Sequence, residues 1–507
     1  LRLVAMSATL DGARFSALMD GAPVIESEGR SWPLDLRYVG RQVSQPIETD
    51  IARIIRQALG EESGDLLVFL PGTREIDRTS DALEKLPEGV VVHLLHGQVD
   101  PSAQRLAVRP DPQGRRKIIL ATNIAETSLT IDGVRIVIDS GLARRARFDR
   151  AAGVTRLVTE RASLSAATQR AGRAARQGPG VAYRLWEAAG NGGLPPFDPP
   201  EILESDLAPL LLDCAHWGEG DPTRLRWLDV PPAAALNEAR KVLLGMAALT
   251  ESGGITPHGQ KLAALPLPPH LAHMVLRAAN HGQAETAAEL ALLLQERGLG
   301  GQGEDLEGRH ERFRRDKGGR TDAAKALARR IGKMAGESGT AAPMSIGALV
   351  ATAYPDRIAK RRDAKGENWI SALGRGLRLD PLSPLAQAEW LAVADLQGAA
   401  SGARILSAAA LTEAEVLELF ADRLETKTET RYDAANDRVE VRQRQRLGAI
   451  VLREAMVAKP DADALADALL AAVRQSGIGA LPWSENAIAL RQRVAFAGHD
   501  LLSDVRL

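Results

Sequence analysis

The 507-residue chain has a single cysteine, Cys214, so it can build neither an internal disulfide nor a multi-cysteine zinc site, which fits a reducing cytoplasm. Cys214 itself reads as a buried helical residue. A charge excess is missing too: 64 Lys and Arg stand against 65 Asp and Glu, so any basic face must be offset by acidic surface elsewhere. No run of about 18 apolar residues occurs, and the first residues lack the charged, apolar and cleavage segments of a signal peptide. Nothing in the sequence addresses a membrane or secretion. The nine histidines form no HExxH or paired-ligand spacing, so no metal site is expected, and His96 and His258 read as structural. Neither a GxxxxGK[ST] phosphate loop nor an Asp-Glu-Ala-His box is present. The chain also lacks an initiator Met and opens on LRLVAMSATLDG, an apolar β-type run, so it is expected to start inside a larger protein.

What is present is an ordinary globular composition, 45% hydrophobic, enough for several cores and, by length, three or four domains. From Asp65 to Leu185 the runs DLLVFLPG, VVVHLLHG, KIILATN, VRIVIDSG and VAYRLW alternate with helix-like stretches. Short Val/Ile/Leu-rich runs of this kind are buried parallel strands of an α/β sheet, whose ligands are expected at the strands' carboxyl ends. Glu187 to Pro200 is a Gly/Pro linker. Apolar residues at helical spacing then give LESDLAPLLLDCAHWG and LNEARKVLLGMAAL, followed by a short strand and turn, a small winged-helix unit over about Glu201 to Leu265. An Ala/Leu-rich helical region follows Pro268, and shorter strands such as NWISALGRGLRL and DRVEVRQRQRLGAIVL mark a mixed, strand-rich final region from Met344.

Three motifs carry chemistry. In QRAGRAARQGPG, read as the start of a helix, Gln169, Arg173 and Arg176 lie four and then three residues apart and share one helix face, so an amide and two guanidiniums converge. Such a constellation suits an oxyanion, because guanidinium binds phosphate bidentately and stays charged. For the arginines alone, a solvated basic face is the competing reading. ATNIAETSLTIDG places a run of hydroxyl and amide side chains at the end of a strand, where they can meet sugar-phosphate oxygens or act simply as caps. MSATL sets Ser7 and Thr9 at a strand end, a weak signal by itself.

Taken in order and spacing, these strings resemble superfamily 2 helicases of the DEAH-box type. MSATL is similar to their motif III, LLVFLPGTREI to motif IV, ATNIAETSLTI to motif V and QRAGRAAR to motif VI, while YPDRIAKRR, RLGAIVLREA and the late LPW resemble the bacterial HrpB-like group. The resemblance implies a multidomain α/β plus α protein. Residues 1–44 correspond to the last strand of a first RecA-like lobe and a linker, and 45–195 to a second RecA-like parallel-sheet domain. A winged helix (196–265), a helical ratchet-like bundle (266–343) and a strand-rich HrpB-type C-terminal domain (344–507) follow. It also implies an ATP-dependent RNA helicase using ATP and Mg²⁺, with RNA as partner, in the cytoplasm. Gln169 would meet the γ-phosphate or attacking water, and Arg173 and Arg176 would be arginine fingers. Thr130 and Asp132 would face the nucleotide, Thr122, Asn123 and Ser128 would hold the RNA backbone with Gly72 and Thr73 as further contacts, and Ser7 and Thr9 would couple hydrolysis to lobe movement. Since the phosphate loop and Mg²⁺ box are missing, the chain alone is expected to be inactive; a non-catalytic RNA-binding or scaffold protein is the rival reading. Two departures stand out: Ala175 replaces a glycine usual in motif VI, and no Phe, Tyr or Trp lies between Leu95 and Ile131 to stack on adenine.

Other basic features leave alternatives open. Ten arginines against Asp149 and Glu160 fall between Gly141 and Arg184, and RRARFDRAAGVTRLV there is either a strand-separating hairpin or a solvent-facing excursion. Arg309 to Lys333 is either a solvated helix face or an RNA track. Arg442, Arg444 and Arg446 share one side of a strand, to bind RNA or to keep an edge strand from pairing.

Overall fold

The computed structural model describes residues 3–6, 12–26, 32–42, 44–126, 130–149, 154–296, 298–336, 339–398, 402–433, 438–457, 461–477, 479, 481–500 and 502. They form two compact units that divide at Pro269/His270. In chain order the first unit contains α1 (Gly12–Leu18), β1 (Leu34–Tyr38), α2 (Ile47–Glu61), β2 (Asp65–Phe69), α3 (Thr73–Ala82), β3 (Val90–Leu95), α4 (Pro101–Val108), β4 (Arg116–Ala121) and β5 (Val134–Asp139). A hairpin of β6 (Leu142–Asp149) and β7 (Val154–Arg161) follows, then α5 (Leu164–Gly172), β8 (Gly180–Arg184), α6 (Glu201–Glu204), α7 (Ala208–Trp217), α8 (Ala233–Gly245) and α9 (Pro257–Ala264).

Six of these strands make one parallel sheet in the order β1-β8-β5-β2-β4-β3. Each of the five apolar runs between Asp65 and Leu185 supplies one of its strands, whereas the described residues 3–6 of the opening run form none. Alternation with period two splits their side chains between two cores. Leu66, Val68, Ile118, Leu120, Ile136 and Ile138 pack under α2 and α3 on one face. Leu67, Phe69, Ile119, Ala121 and Val137 form the other face, where Ala125, Ala171 and Ala174 lie against them. Burial on both faces is what makes the strands read as continuous apolar runs. The edge strand β1 lies inside the segment expected to be a linker: LDLRY alternates charge with apolar residues, as an edge position allows, and is too short to stand out. After the sheet, α7 packs on α8 and α9, and a single antiparallel bridge, Leu249 to Ile255, closes a small wing.

The second unit begins with helices α10 (Pro269–Ala279), α11 (Ala284–Gln295), α12 (Leu306–Arg315), α13 (Gly319–Ala335) and α14 (Ile346–Ala353). Strands β9 (Ile358–Arg361), β10 (Asn368–Ser371), β11 (Gly376–Arg378), β12 (Trp390–Gln397) and β13 (Ala403–Leu411) close into a five-stranded barrel around Trp369, Leu391, Val393 and Ile405. Beyond α15 (Glu413–Leu419), an antiparallel sheet is built from β14 (Leu424–Asp433), β15 (Arg438–Leu447) and β16 (Ile450–Met456), followed by α16 (Ala462–Ser476) and α17 (Glu485–Phe496). No helix among the described residues is long and apolar enough to cross a membrane.

Candidate functional site

Because all six strands run parallel, their carboxyl ends share one edge. Gly72 and Thr73 leave the end of β2 at the start of α3, and Thr122 and Asn123 leave the end of β4. β2 and β4 are adjacent, and the Leu70 N–H donates to the Ala121 carbonyl at 2.8 Å, so the two pairs sit side by side. A Cβ at Gly72 would lie 2.2 Å from the Arg144 guanidinium, the end of a flexible side chain that can swing aside. From Thr122 the chain makes one short helical turn, Asn123–Ala125, and reaches Glu126. Thr130 and Asp132 come just before β5, at the opposite edge of the sheet. Ser128, Ser7 and Thr9 lie outside the described residues.

Helix α5 starts at Ser163, whose buried hydroxyl accepts from the Ala166 N–H at 3.1 Å, a cap worth about 1 kcal/mol. The helix ends at Gly172, so QRAG is its last turn and not its start. Arg173, Ala174 and Ala175 continue in tighter turns, their N–H groups donating three residues back to Arg170, Ala171 and Gly172 at 3.0, 3.1 and 3.3 Å. At about three residues per turn, positions 173 and 176 eclipse, so Arg173 and Arg176 stay neighbours although no α-helical face carries them. Gln169 remains on the helix proper, partly buried. Gly180 makes this ending possible: a Cβ there would meet the Ala174 carbonyl at 2.3 Å. Ala175 is buried with its methyl group accommodated.

Electrostatics separates the three arginines. Arg173 is 5% exposed and donates to the Glu126 peptide oxygen, from Nε at 3.2 Å and Nη2 at 2.5 Å. Its guanidinium is pushed down to about 10, first by burial and then by the positive charge of Arg176; the negative charge of Glu126 opposes this. A cation held at such a disadvantage gains from an incoming anion. Arg176 is exposed. Arg170, the arginine to which the sequence assigns no role, is 1% exposed: its Nε meets Glu126 Oε2 at 3.0 Å and its Nη1 meets Asp139 Oδ1 at 2.9 Å. Burial pulls its pKa down, but Asp139 and Glu126 outweigh that and raise it.

Three further residues tie the site together. Gln177 donates from Nε2 to Asp132 Oδ1 at 2.8 Å and accepts the Gly133 N–H at 3.1 Å, clamping the end of motif VI to the end of motif V. Lys117, fully buried, donates to the carbonyls of Arg109 at 2.7 Å and Asp132 at 3.5 Å. Glu126 joins Arg170 through its carboxylate and Arg173 through its peptide oxygen. Sequence reasoning passed over all three; the available signal was a charged residue inside an apolar setting, at Lys117 in RRKIIL and at Glu126 in NIAETS.

Many arginines of the basic segments are ion-paired. β6 and β7 do form a hairpin, with Leu142 opposite Arg161 and Asp149 opposite Val154. Arg144 meets Glu75, Arg145 meets Glu160 and Asp198, Arg147 meets Glu160 and Glu204, and Arg156 meets Asp149. In the Arg309 to Lys333 stretch, Arg309 is buried and donates to the Leu293 and Leu299 carbonyls, while Arg314, Arg315 and Arg320 pair with Glu289, Glu311 and Glu296. β15 is the central strand of its sheet, which removes the edge-protection reading of its arginines.

The helicase conserved C-terminal domain family matches residues 50–178. The chain is 38% identical over 500 residues to the ATP-dependent RNA helicase HrpB of Escherichia coli, covering 98% of this chain and 61% of that protein. It is 37% identical over 300 residues to E. coli ATP-dependent RNA helicase HrpA, 56% of this chain and 22% of the relative. Two crystal structures of E. coli HrpB superpose with TM-scores of 0.79 and 0.81 at 36% identity, each over 97% of this chain and over 60% and 62% of theirs. The chain thus spans about three fifths of the length of these HrpB relatives.

Proposed function

We propose that the chain, so similar to HrpB over three fifths of that protein, is of the HrpB-like group of DEAH-type helicases and is the RNA-gripping, arginine-bearing part of an enzyme that remodels RNA at the expense of ATP. The observation that carries the reading is Arg173: a buried guanidinium bonded to a peptide carbonyl, depressed by burial and by Arg176, beside a strand edge that presents Thr122 and Asn123. Arg173 and Arg176 would approach the γ-phosphate oxygens and stabilise charge that develops during transfer, while Gln169 orients the attacking water. Thr130 and Asp132 would face the rest of the nucleotide. Thr122, Asn123 and Ser128, with Gly72 and Thr73, would hold the RNA backbone; hydroxyl and amide contacts of this kind carry no base information, so binding is sequence-tolerant. Ser7 and Thr9 would couple hydrolysis to lobe movement.

ATP fits these residues only on its phosphate-facing side. Magnesium ion, which takes one or two carboxylates together with phosphate oxygens, would be held by the lobe that carries the phosphate loop, and no step is routed through it. In this reading a lobe carrying GxxxxGK[ST] completes the site, and this chain without such a lobe does not turn over ATP. The test reads the coding sequence upstream of Leu1 for such a loop and measures phosphate release from ATP, with and without RNA, by the protein that the whole reading frame encodes. RNA-stimulated release supports the enzyme. RNA binding with no phosphate release from that protein leaves a scaffold instead.

A further inference from the structure

Arg170 is the buried centre of a junction between elements that the proposed function treats separately. Its Nε donates to Glu126 Oε2 at 3.0 Å, and its Nη1 to Asp139 Oδ1 at 2.9 Å and to the Leu142 carbonyl at 3.1 Å. The guanidinium also lies over the Phe69 ring, 5.2 Å from its centroid. Each partner ends or begins a different element: Phe69 closes β2, Asp139 closes β5, Leu142 opens the β6–β7 hairpin, and Glu126 follows the turn headed by Thr122 and Asn123. Glu126 acts twice, since its peptide oxygen receives Nε and Nη2 of Arg173 at 3.2 and 2.5 Å. The residue that follows the strand-edge loop thus holds one motif VI arginine by its side chain and the next by its backbone.

A buried ion pair of this kind cannot let go of one partner cheaply, because the charge left behind is out of water. A shift of the Glu126 peptide is therefore passed on to both arginines. We propose that Glu126 and Arg170 are positioning residues that make the placement of Arg173 depend on what the Thr122–Asn123 loop and the hairpin root hold, so that RNA at that edge steadies the phosphate-directed guanidinium. This rests on the RNA and phosphate roles proposed above. Neither residue touches RNA or nucleotide in this scheme.

Amide hydrogen exchange on the chain as it stands separates coupling from a merely structural role, with a uridylate dodecamer as probe. The Arg173, Ala174 and Ala175 amides report directly, since each is bonded within the turn. In the wild type, RNA is expected to slow exchange at 122–126, at 142–149 and at 173–178. Glu126→Gln, nearly isosteric, should keep RNA affinity within about twofold and protection at 122–126, yet lose about fivefold of the RNA-dependent protection at 173–178. Undiminished protection at 173–178 in that variant overturns the proposal, as does wild-type protection confined to 122–126. Absence of RNA protection anywhere in the wild type overturns the RNA reading instead. Should Glu126→Gln melt, Arg170→Lys, which keeps the charge without the fork, must show the same split; wild-type protection in it overturns the coupling.

Discussion

Motif VI and strand β15 each set three arginines within seven or fewer residues, and they dispose of the charge in opposite ways. On β15 the guanidiniums face a lattice of carboxylates: Arg442 meets Glu440 and Glu454, Arg444 meets Glu429 and Glu454, and Arg446 meets Glu429. Every positive charge there has a negative neighbour drawn from its own or an adjacent strand, so the sheet offers phosphate little. In motif VI Arg170 pairs with the carboxylates of Glu126 and Asp139, while Arg173 bonds the Glu126 peptide oxygen and feels Arg176 as a like charge. Arginine number and spacing are therefore poor guides to anion binding. What distinguishes the two places is which influence wins: Glu454 and Glu440 raise the Arg442 guanidinium, whereas burial and Arg176 lower that of Arg173.

The sharpest way to break this contrast is to remove Arg173. In the protein that the whole reading frame encodes, Arg173→Ala should lower RNA-stimulated phosphate release by about 10³-fold, the scale of a lost arginine finger, while RNA affinity measured by fluorescence anisotropy stays within about twofold. Retained turnover would sink the finger assignment. The next effect is on stability. Arg170→Ala leaves the Glu126 and Asp139 carboxylates buried without their cation, at a cost of about 3 kcal/mol, seen as a fall in Tm on the order of 10 °C. Arg444→Ala leaves its two acids other arginine partners, Arg446 for Glu429 and Arg442 for Glu454, and should shift Tm by no more than about 2 °C. Equal shifts for the two variants would erase the distinction drawn between them.

How much of this was legible in the sequence follows from which information is local. The interior strands of the sheet were readable, because burial on both faces writes itself as unbroken Val, Ile and Leu. The edge strand Leu34–Tyr38 was not, since Asp35 and Arg37 interrupt its apolar residues and none of its side chains is fully buried. The end of α5 was misread because the Gly-Pro-Gly break suggested a helix leading up to it, whereas the start signal is Ser163, several residues upstream. Arg170 had no readable role because its partners lie 44 and 31 residues away in sequence. The same holds for β15: that Arg442 faces Glu454 and that Arg444 faces Glu429 depends on register, which spacing along one strand does not reveal.

Removing an acid should make the sheet behave more like motif VI. Glu454→Gln takes one carboxylate from both Arg442 and Arg444. Uncovered guanidiniums recruit phosphates, and each new contact steepens the salt dependence of single-stranded RNA binding by about 0.7 in the log–log slope. A several-fold gain in RNA affinity at low salt, vanishing near physiological salt, is the expected result. No change in either affinity or slope would show that the lattice masks nothing.

The smallest effect is also the one that tests the lattice without removing an arginine. Hydrogen bonds from Arg442 above all, and then from Arg444, hold Glu454 below the usual carboxylate range; Arg442 and then Arg438 do the same for Glu440. Carboxylates whose folded pKa lies below the unfolded value bind fewer protons in the folded state, so stability rises with pH through that window. Their contribution is fully present above the ordinary glutamate value near 4.5 and is lost as pH falls through the lower folded values. The Tm difference between wild type and Glu440→Gln/Glu454→Gln should therefore be flat above pH 5 and narrow below about 4.5, by about 2 °C. A difference that stays constant down to pH 3 would mean that packing of these side chains, and not their charge, stabilises the sheet, and the contrast with motif VI would then lose its electrostatic basis.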